Sequence, residues 1–366
     1  MLLTEPLYLF SLNLLFGAVL GHVLYRSDFC MAGMFRDIFL FRRGRLLPSL
    51  ALLIACAMAL FALAKTAGLI TFSPPPTYRH PSLSTAIGGT IFGMGMVLAG
   101  GCVVSTLYRM AAGSLAALLA FSGIIVGSLL YAEFHPFWTA IKDATSILNY
   151  STLQPYQGPF IPFAISLALA ALVLGSALRG KLTTTAYASA YLQPWKAAIA
   201  IAVLNFVFYV FSGWPMGITT AYAKIGAYIE RMIAPDHVEK LPYFSEDSVS
   251  VVVAGRRISG GPGPRIDIIT FTELTLAAGV FIGAMATSVR LREFRISGLP
   301  PLRQVVSAFV GGAFVGYGAR VAGGCNLKFI AGGLPLLALE GVIFTAGLLG
   351  GAYLGTLILK RLVIRM

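Results

Sequence analysis

Residues 88–102 read GGTIFGMGMVLAGGC, and residues 311–325 read GGAFVGYGARVAGGC. Laid over each other, Gly88, Gly89, Gly93, Gly95, Ala99, Gly100, Gly101 and Cys102 meet Gly311, Gly312, Gly316, Gly318, Ala322, Gly323, Gly324 and Cys325. Shared apolar character alone would not bring so many glycines and a terminal cysteine into one register. The chain therefore holds two copies of one element, an apolar helix that ends in Gly-Gly-Cys. Each interior glycine costs such a helix roughly 1 kcal/mol against alanine. The cost is tolerated where another backbone or a substrate must come close, as in membrane helix packing.

The composition places that helix in lipid. Of 366 residues, 57% are hydrophobic and 11% charged, against about 25% charged in a soluble domain. Nine apolar stretches are long enough to cross a bilayer as helices. They lie near 7–25, 47–71, 83–100, 111–131, 159–178, 195–212, 269–289, 303–321 and 335–359. The sequence reads as an all-α integral membrane protein in the lipid bilayer. No Lys or Arg precedes the first apolar run in MLLTEPLYLF, so that run reads as a retained helix and not as a cleaved signal.

A net charge of +13 does not point to nucleic acid, because the basic residues sit in the loops between spans. Arg26, Arg36, Arg42, Arg43, Arg45, Arg179, Lys181, Arg290, Arg292, Arg295, Lys360, Arg361 and Arg365 fall on one side, and the short loops on the other hold little beyond Arg79, Lys142 and Lys328; the long outer loop 213–268 breaks the count, but long segments translocate largely regardless of charge. By the positive-inside rule the N-terminus lies outside and the C-terminus in the cytoplasm, across a cytoplasmic (inner) membrane.

The two glycine-rich spans are the third and the eighth, an odd number of crossings apart, so they traverse the membrane in opposite directions. This is the inverted-repeat plan of many secondary transporters, with a substrate site near the midplane. Spans one to four (residues 1–132) and six to nine (195–366, with the long outer loop 213–268) form the halves. Span five, within 133–194, links them. Gly17 and Gly21 of span one are echoed by Gly279 and Gly283 of span seven. Gly113 and Gly127 pair with Gly333 and Gly347 after a three-residue gap. The stretch Ser27–Gly33, containing Cys30 and a glycine that lets the backbone turn, corresponds to Ser212–Gly217, which has no cysteine. The site is therefore expected to be asymmetric.

Other stretches carry less. Cys56, within LLIACAMAL, reads as a packing thiol. Glu133, His135, Lys142 and Asp143 read as a solvated loop without metal-ligand spacing. TAYAKIGAYIERMI reads as an amphipathic helix at the membrane interface, and residues 248–264 as a short extramembrane strand and turn.

The spans hold too few ionisable groups for a carboxylate proton relay. They offer thiols, glycine backbone and hydroxyls, and a thiol is a weak, soft hydrogen-bond donor. Free N–H groups at the segment starts after Gly100-Gly101-Cys102 and Gly323-Gly324-Cys325 attract anions. A sulfur-containing anion fits that combination. No cofactor, metal or catalytic residue is expected, and the chain reads as a transporter and not an enzyme.

These residues resemble the YeeE/YedE family of membrane proteins, a family with thiosulfate uptake. The resemblance rests on Phe29-Cys30-Met31-Ala32-Gly33 and on the two Ala-Gly-Gly-Cys ends, and it extends over nearly the whole chain. It implies a nine-span, hourglass-shaped protein with a central constriction and a thiosulfate path lined by Cys30, Cys102 and Cys325, with Gly33, Gly100, Gly101, Gly323 and Gly324 beside them. Thiosulfate would pass from thiol to thiol by S–H hydrogen bonds. A separate cytoplasmic TusA-like sulfurtransferase is an implied partner. Alternatives are a transporter of a selenium compound, a membrane thiol or persulfide redox protein, a three-cysteine metal site, and cysteines that only fill space. The absence of a CxxC pair weighs against redox chemistry.

Overall fold

The computed structural model describes residues 6–361 except 71, 147–150, 154–159, 181–185, 187, 189–190 and 254–255. The first five residues, Lys181 and Arg365, all of which bear on topology, lie outside the described residues. Among the described residues, nine helical segments are long and apolar enough to cross a membrane, and the only sheet is one two-stranded hairpin. The protein is an all-α multi-pass membrane protein.

The first segment joins α1 (Pro6–Ser27) to α2 (Met31–Phe41), and the third joins α4 (Leu83–Leu98) to α5 (Val103–Ala111), each across a cysteine. Between them lies α3 (Leu47–Thr66), and after them α6 (Leu115–Glu133) and α7 (His135–Ala144). The peripheral α8 (Phe160–Leu178) packs on α3 and leaves most of its apolar surface uncovered. Then come α9 (Pro194–Ser212), α10 (Thr219–Ile233), the short α11 (Pro235–Lys240) and α12 (Pro242–Ser245), and the hairpin β1 (Val249–Val253) and β2 (Arg256–Gly260). A π-helical turn, Thr270–Leu274, leads into α13 (Thr275–Arg290). α14 (Leu302–Ala322) is followed by a second π-helical turn, Leu327–Gly333, and by α15 (Leu339–Leu359).

The glycines explain which helices touch. α4 and α14 cross antiparallel at the centre. A Cβ on Gly95 would sit 2.7 Å from the Gly311 carbonyl oxygen, and a Cβ on Gly318 would sit 2.7 Å from the Gly88 carbonyl oxygen. Each contact is the other with the two copies exchanged. Outside this pair, Gly89 and Gly93 of α4 abut Phe344 and Leu348 of α15, and Gly312 and Gly316 of α14 abut Ala120 and Ile124 of α6. Gly17 and Gly21 face Leu276–Val280 of α13, whose Gly279 and Gly283 face Leu14–Ala18 in return. The echo between spans one and seven is thus a direct interface. Close backbone approach of this kind is what lets helices associate in lipid, where no hydrophobic drive separates helix from solvent.

Four details differ from the sequence reading. Gly123 and Gly127 meet Phe309 and Ala313, while Gly347 and Gly351 meet Ala86 and Thr90. The structural counterpart of Gly127 is therefore Gly351, and the register slips by one residue and not three. Residues 135–144 form α7 and are not a solvated loop; buried His135 bonds Tyr131 at 3.1 Å and Glu246 at 2.9 Å. The front half of α10 lies in the core and not at the interface, with Tyr222 and Lys224 fully covered. Lys224 is tolerated there because its ammonium donates to the Gly263 and Arg265 carbonyls and to Asp267; burial still lowers its pKa. Finally, residues 213–268 are not a bare loop. They fold as α10 to β2 across one end of the bundle, the 249–260 stretch as a hairpin and not a single strand.

Candidate functional site

Cys30, Cys102 and Cys325 occupy one kind of position, the residue just before a short helical segment. Cys30 caps α2, its sulfur accepting the Gly33 N–H at 3.4 Å. Cys102 caps α5 in a capping box with Ser105, whose Oγ accepts the Cys102 N–H at 2.7 Å. Cys325 precedes the Leu327–Gly333 turn, its carbonyl accepting the Phe329 N–H at 2.9 Å. Each thiol sits in the positive field of a helix start, which favours a nearby negative charge.

The bends that put the thiols there are left-handed. Gly100 (φ 71°) and Gly323 (φ 82°) hold equivalent positions at the ends of α4 and α14. Gly101 and Gly324 serve by close approach: a Cβ on Gly101 would lie 2.7 Å from Ser105 Oγ, and one on Gly324 2.5 Å from Lys328 Cδ. Gly33 plays another part than expected. It lies inside α2 with ordinary room around it, and the left-handed residue of that turn is Asp28 (φ 44°).

All three thiols are buried, with exposures of 4%, 7% and 1% for Cys30, Cys102 and Cys325. All three are free and belong to one core cluster. Cys102 lies within electrostatic reach of Cys30, and Cys325 within reach of Cys102. Tyr222, donating to the Val103 carbonyl at 3.2 Å, lies within reach of both Cys102 and Cys325. Cys56 lies apart on α3, half-buried against the same core.

Two cavities flank this row, at opposite ends of α6. Ser114, which caps α6, lines the larger, about 520 Å³ in volume, together with Asp28, Tyr108 and Arg109. Tyr131, near the other end of α6, lines the smaller, about 80 Å³. At 1.5 Å per residue the two markers stand about 25 Å apart. The smaller cavity also carries Arg320, Lys328, Thr219, Thr220 and Gly323. Residues 213–268 supply much of its wall, so the segment left without a role by the sequence is part of the site.

Arg320 is the residue most easily missed. It stands within the second glycine motif, where the first copy has Val97. It is 8% exposed, and its guanidinium reaches Thr219, Thr220 and Tyr243, while Nε finds no partner. Among the described residues no carboxylate lies within ion-pair distance of it. A buried cation without a counterion is costly. The signal is present in the sequence, since a charge inside an apolar span is a functional hint by default. Below it, Glu273 accepts from Thr220 N–H at 2.8 Å and ties α10 to the turn before α13. At the outer edge the His135 hydrogen bond holds the Glu246 carboxyl below its ordinary pKa.

Glu133, Glu230 and His237 also converge, with His237 Nε2 2.7 Å from Glu133 and 3.3 Å from Glu230. Their donor set could take a metal ion. His237 pairs with both carboxylates through the same Nε2, and Glu230 Oε2 has no hydrogen-bond partner; the Glu133 hydrogen bond raises the His237 pKa.

The chain is 29% identical over 349 residues to the thiosulfate transporter TsuA of Escherichia coli, covering 89% of this chain and 87% of that protein. It is 27% identical over 345 residues to the thiosulfate transporter TsuA of Spirochaeta thermophila, covering 90% and 92%. A probable transporter, YedE of Salmonella typhimurium, matches 170 residues at 27% identity, 45% of this chain and 40% of that one. Residues 26–354 match the family described as sulphur transport. With that match over nearly its whole length, and nine membrane-length apolar helices among its described residues, the chain belongs to the sulphur transport family.

Proposed function

We propose that the protein imports thiosulfate across the cytoplasmic membrane, N-terminus outside, by handing the ion along Cys325, Cys102 and Cys30. The observation that carries this reading is the succession of three buried, helix-capping thiols between two polar cavities. The relatives named as thiosulfate transporters support the substrate. The reciprocal glycine contacts support two inverted halves, spans one to four and six to nine, joined through span five.

In this reading the small cavity is the outer mouth. Arg320 and Lys328 there meet the sulfonate oxygens of the dianion, which brings a negative charge to a guanidinium whose Nε has no partner and which has no carboxylate in ion-pair distance among the described residues. The terminal sulfur then accepts S–H hydrogen bonds from Cys325, Cys102 and Cys30 in turn. Soft thiol donors bind that sulfur loosely, and several weak sites in series let an ion move on. No bond to sulfur is made or broken. The large cavity beside Asp28 is the inner mouth, where the loop charges place the cytoplasm. There a separate TusA-like sulfurtransferase receives the ion.

The test is uptake of radiolabelled thiosulfate by cells lacking other importers. Single Cys30→Ala, Cys102→Ala and Cys325→Ala changes abolish uptake at normal membrane abundance, and Cys56→Ala leaves it intact. Uptake that survives all three motif changes overturns the hand-over. Wild-type uptake equal to empty vector overturns the substrate.

A further inference from the structure

Both copies of the repeated element are clamped by a cation, and the clamps differ. In the second copy Lys328 reaches back from the segment after Cys325 and donates to the Gly323 carbonyl at 2.6 Å. In the first copy Arg109 reaches back from α5 and donates through Nη1 to the Gly100 carbonyl at 2.8 Å. Gly100 and Gly323 are equivalent left-handed residues, two before their cysteines. The ammonium of Lys328 is a point charge. The guanidinium of Arg109 is a fork, able to hold two partners in fixed geometry.

The second tine of that fork reaches another cysteine turn. Arg109 Nη2 lies 3.3 Å from Asp28 Oδ1, two residues before Cys30, and the same oxygen accepts the Tyr108 hydroxyl at 2.9 Å. Asp28 itself is left-handed, a conformation costing a non-glycine residue roughly 1 kcal/mol or more. The bends that begin the Cys30 and Cys102 turns are thus tied to one side chain. In the other half, where Lys328 stands, the stretch equivalent to the Cys30 turn has no cysteine. The fork occurs where two thiol turns must be held together, and the point charge where there is one.

We propose that Arg109 is a positioning residue whose forked guanidinium locks the Cys102 turn to the Asp28–Cys30 turn and so fixes the separation across which the sulfur anion passes between these two thiols. The proposal rests on the hand-over reading. Lys328 holds the Cys325 turn alone.

The test is Arg109→Lys, which keeps one tine, alongside Asp28→Asn, which removes the charged acceptor and leaves the Gly100 bond. Two readouts are taken on the full-length protein in membranes. In thiosulfate uptake, both variants lower the maximal rate per molecule about tenfold and change the half-saturation concentration by less than about twofold, because the outer mouth is untouched. In alkylation by a membrane-permeant maleimide, followed cysteine by cysteine by mass spectrometry, Cys30 reacts faster in both variants, while Cys325 and Cys56 keep their wild-type rates. Faster labelling at all four cysteines marks general loosening and overturns a positioning role. Wild-type maximal rates with unchanged Cys30 labelling overturn the proposal outright. If the wild-type protein takes up no thiosulfate, the hand-over reading fails, and Cys30-selective labelling still decides whether Arg109 joins the two turns.

Discussion

The element running from α4 through Cys102 into α5 and its counterpart from α14 through Cys325 into the 327–333 turn share a backbone plan but not a charge plan. Both helices end in a left-handed glycine, both present a buried thiol, and each glycine carbonyl accepts from a cation downstream. The first copy has an apolar helix, a capping serine and a forked arginine beside the larger cavity. The second has Arg320 buried within its helix, a π-helical turn and a lysine beside the smaller cavity. The common part builds the crossing, and the divergent part makes one end different from the other. In the proposed hand-over, the duplicated frame would carry the path and the unequal charges its direction of capture.

The sharpest way to break the common part is at the crossing. Gly88→Ala and Gly311→Ala each drive a methyl into the backbone of the opposite copy, at Ala322 and at Ala99. Backbone cannot swing aside as a side chain can. Each change is expected to cost about 3 kcal/mol or more, and the two costs should match. Thermal unfolding of the detergent-purified variants checks this; a mild loss at one site and a severe one at the other breaks the equivalence.

The divergent part is sharpened by Arg320→Val, which writes the first copy's residue into the second. Losing charge-assisted hydrogen bonds of about 1.5–3 kcal/mol should raise the half-saturation concentration for thiosulfate roughly 10- to 100-fold. Protein abundance should hold, since the change removes a buried charge that has no carboxylate in ion-pair distance among the described residues. Uptake kinetics of Arg320→Val at wild-type half-saturation would remove the cation from capture.

The smallest effects concern the bends. Nothing crowds a Cβ at Gly100 or Gly323, so alanine there meets only backbone strain. Gly100→Ala and Gly323→Ala should each lower stability by about 1 kcal/mol. Chemical denaturation would read this, and a loss at either site several-fold larger would mean that the turn is held by more than its φ angle.

Much of the frame is legible in the sequence. Span positions follow from apolar length, the copies from glycine register, and the three thiols from Gly-Gly-Cys and Phe-Cys-Met-Ala-Gly. Legibility fails where a residue's role depends on a partner far along the chain. Tyr222 and Lys224 read as part of an interfacial helix, because periodicity reports an apolar face and not what covers the polar one. Lys224 is buried only because carbonyls about 40 residues later enclose its ammonium. Glycine matches alone set Gly127 against Gly347, because they cannot fix a gap; the neighbours of Gly351 fix it. His135 and Glu246 lie 111 residues apart and form one hydrogen bond.

The sequence by itself determined that the chain lives in lipid, that its centre is a duplicated glycine helix and that thiols mark the ends of that helix. Those properties are local: hydropathy, backbone freedom and spacing act within a few residues. Only the tertiary structure decided that segment 213–268 walls one cavity, that Arg320 lies buried with no carboxylate in ion-pair distance among the described residues, and that Arg109 joins two cysteine turns. Those facts depend on distances between segments far apart in the chain, set when the helices pack and carrying no local signature.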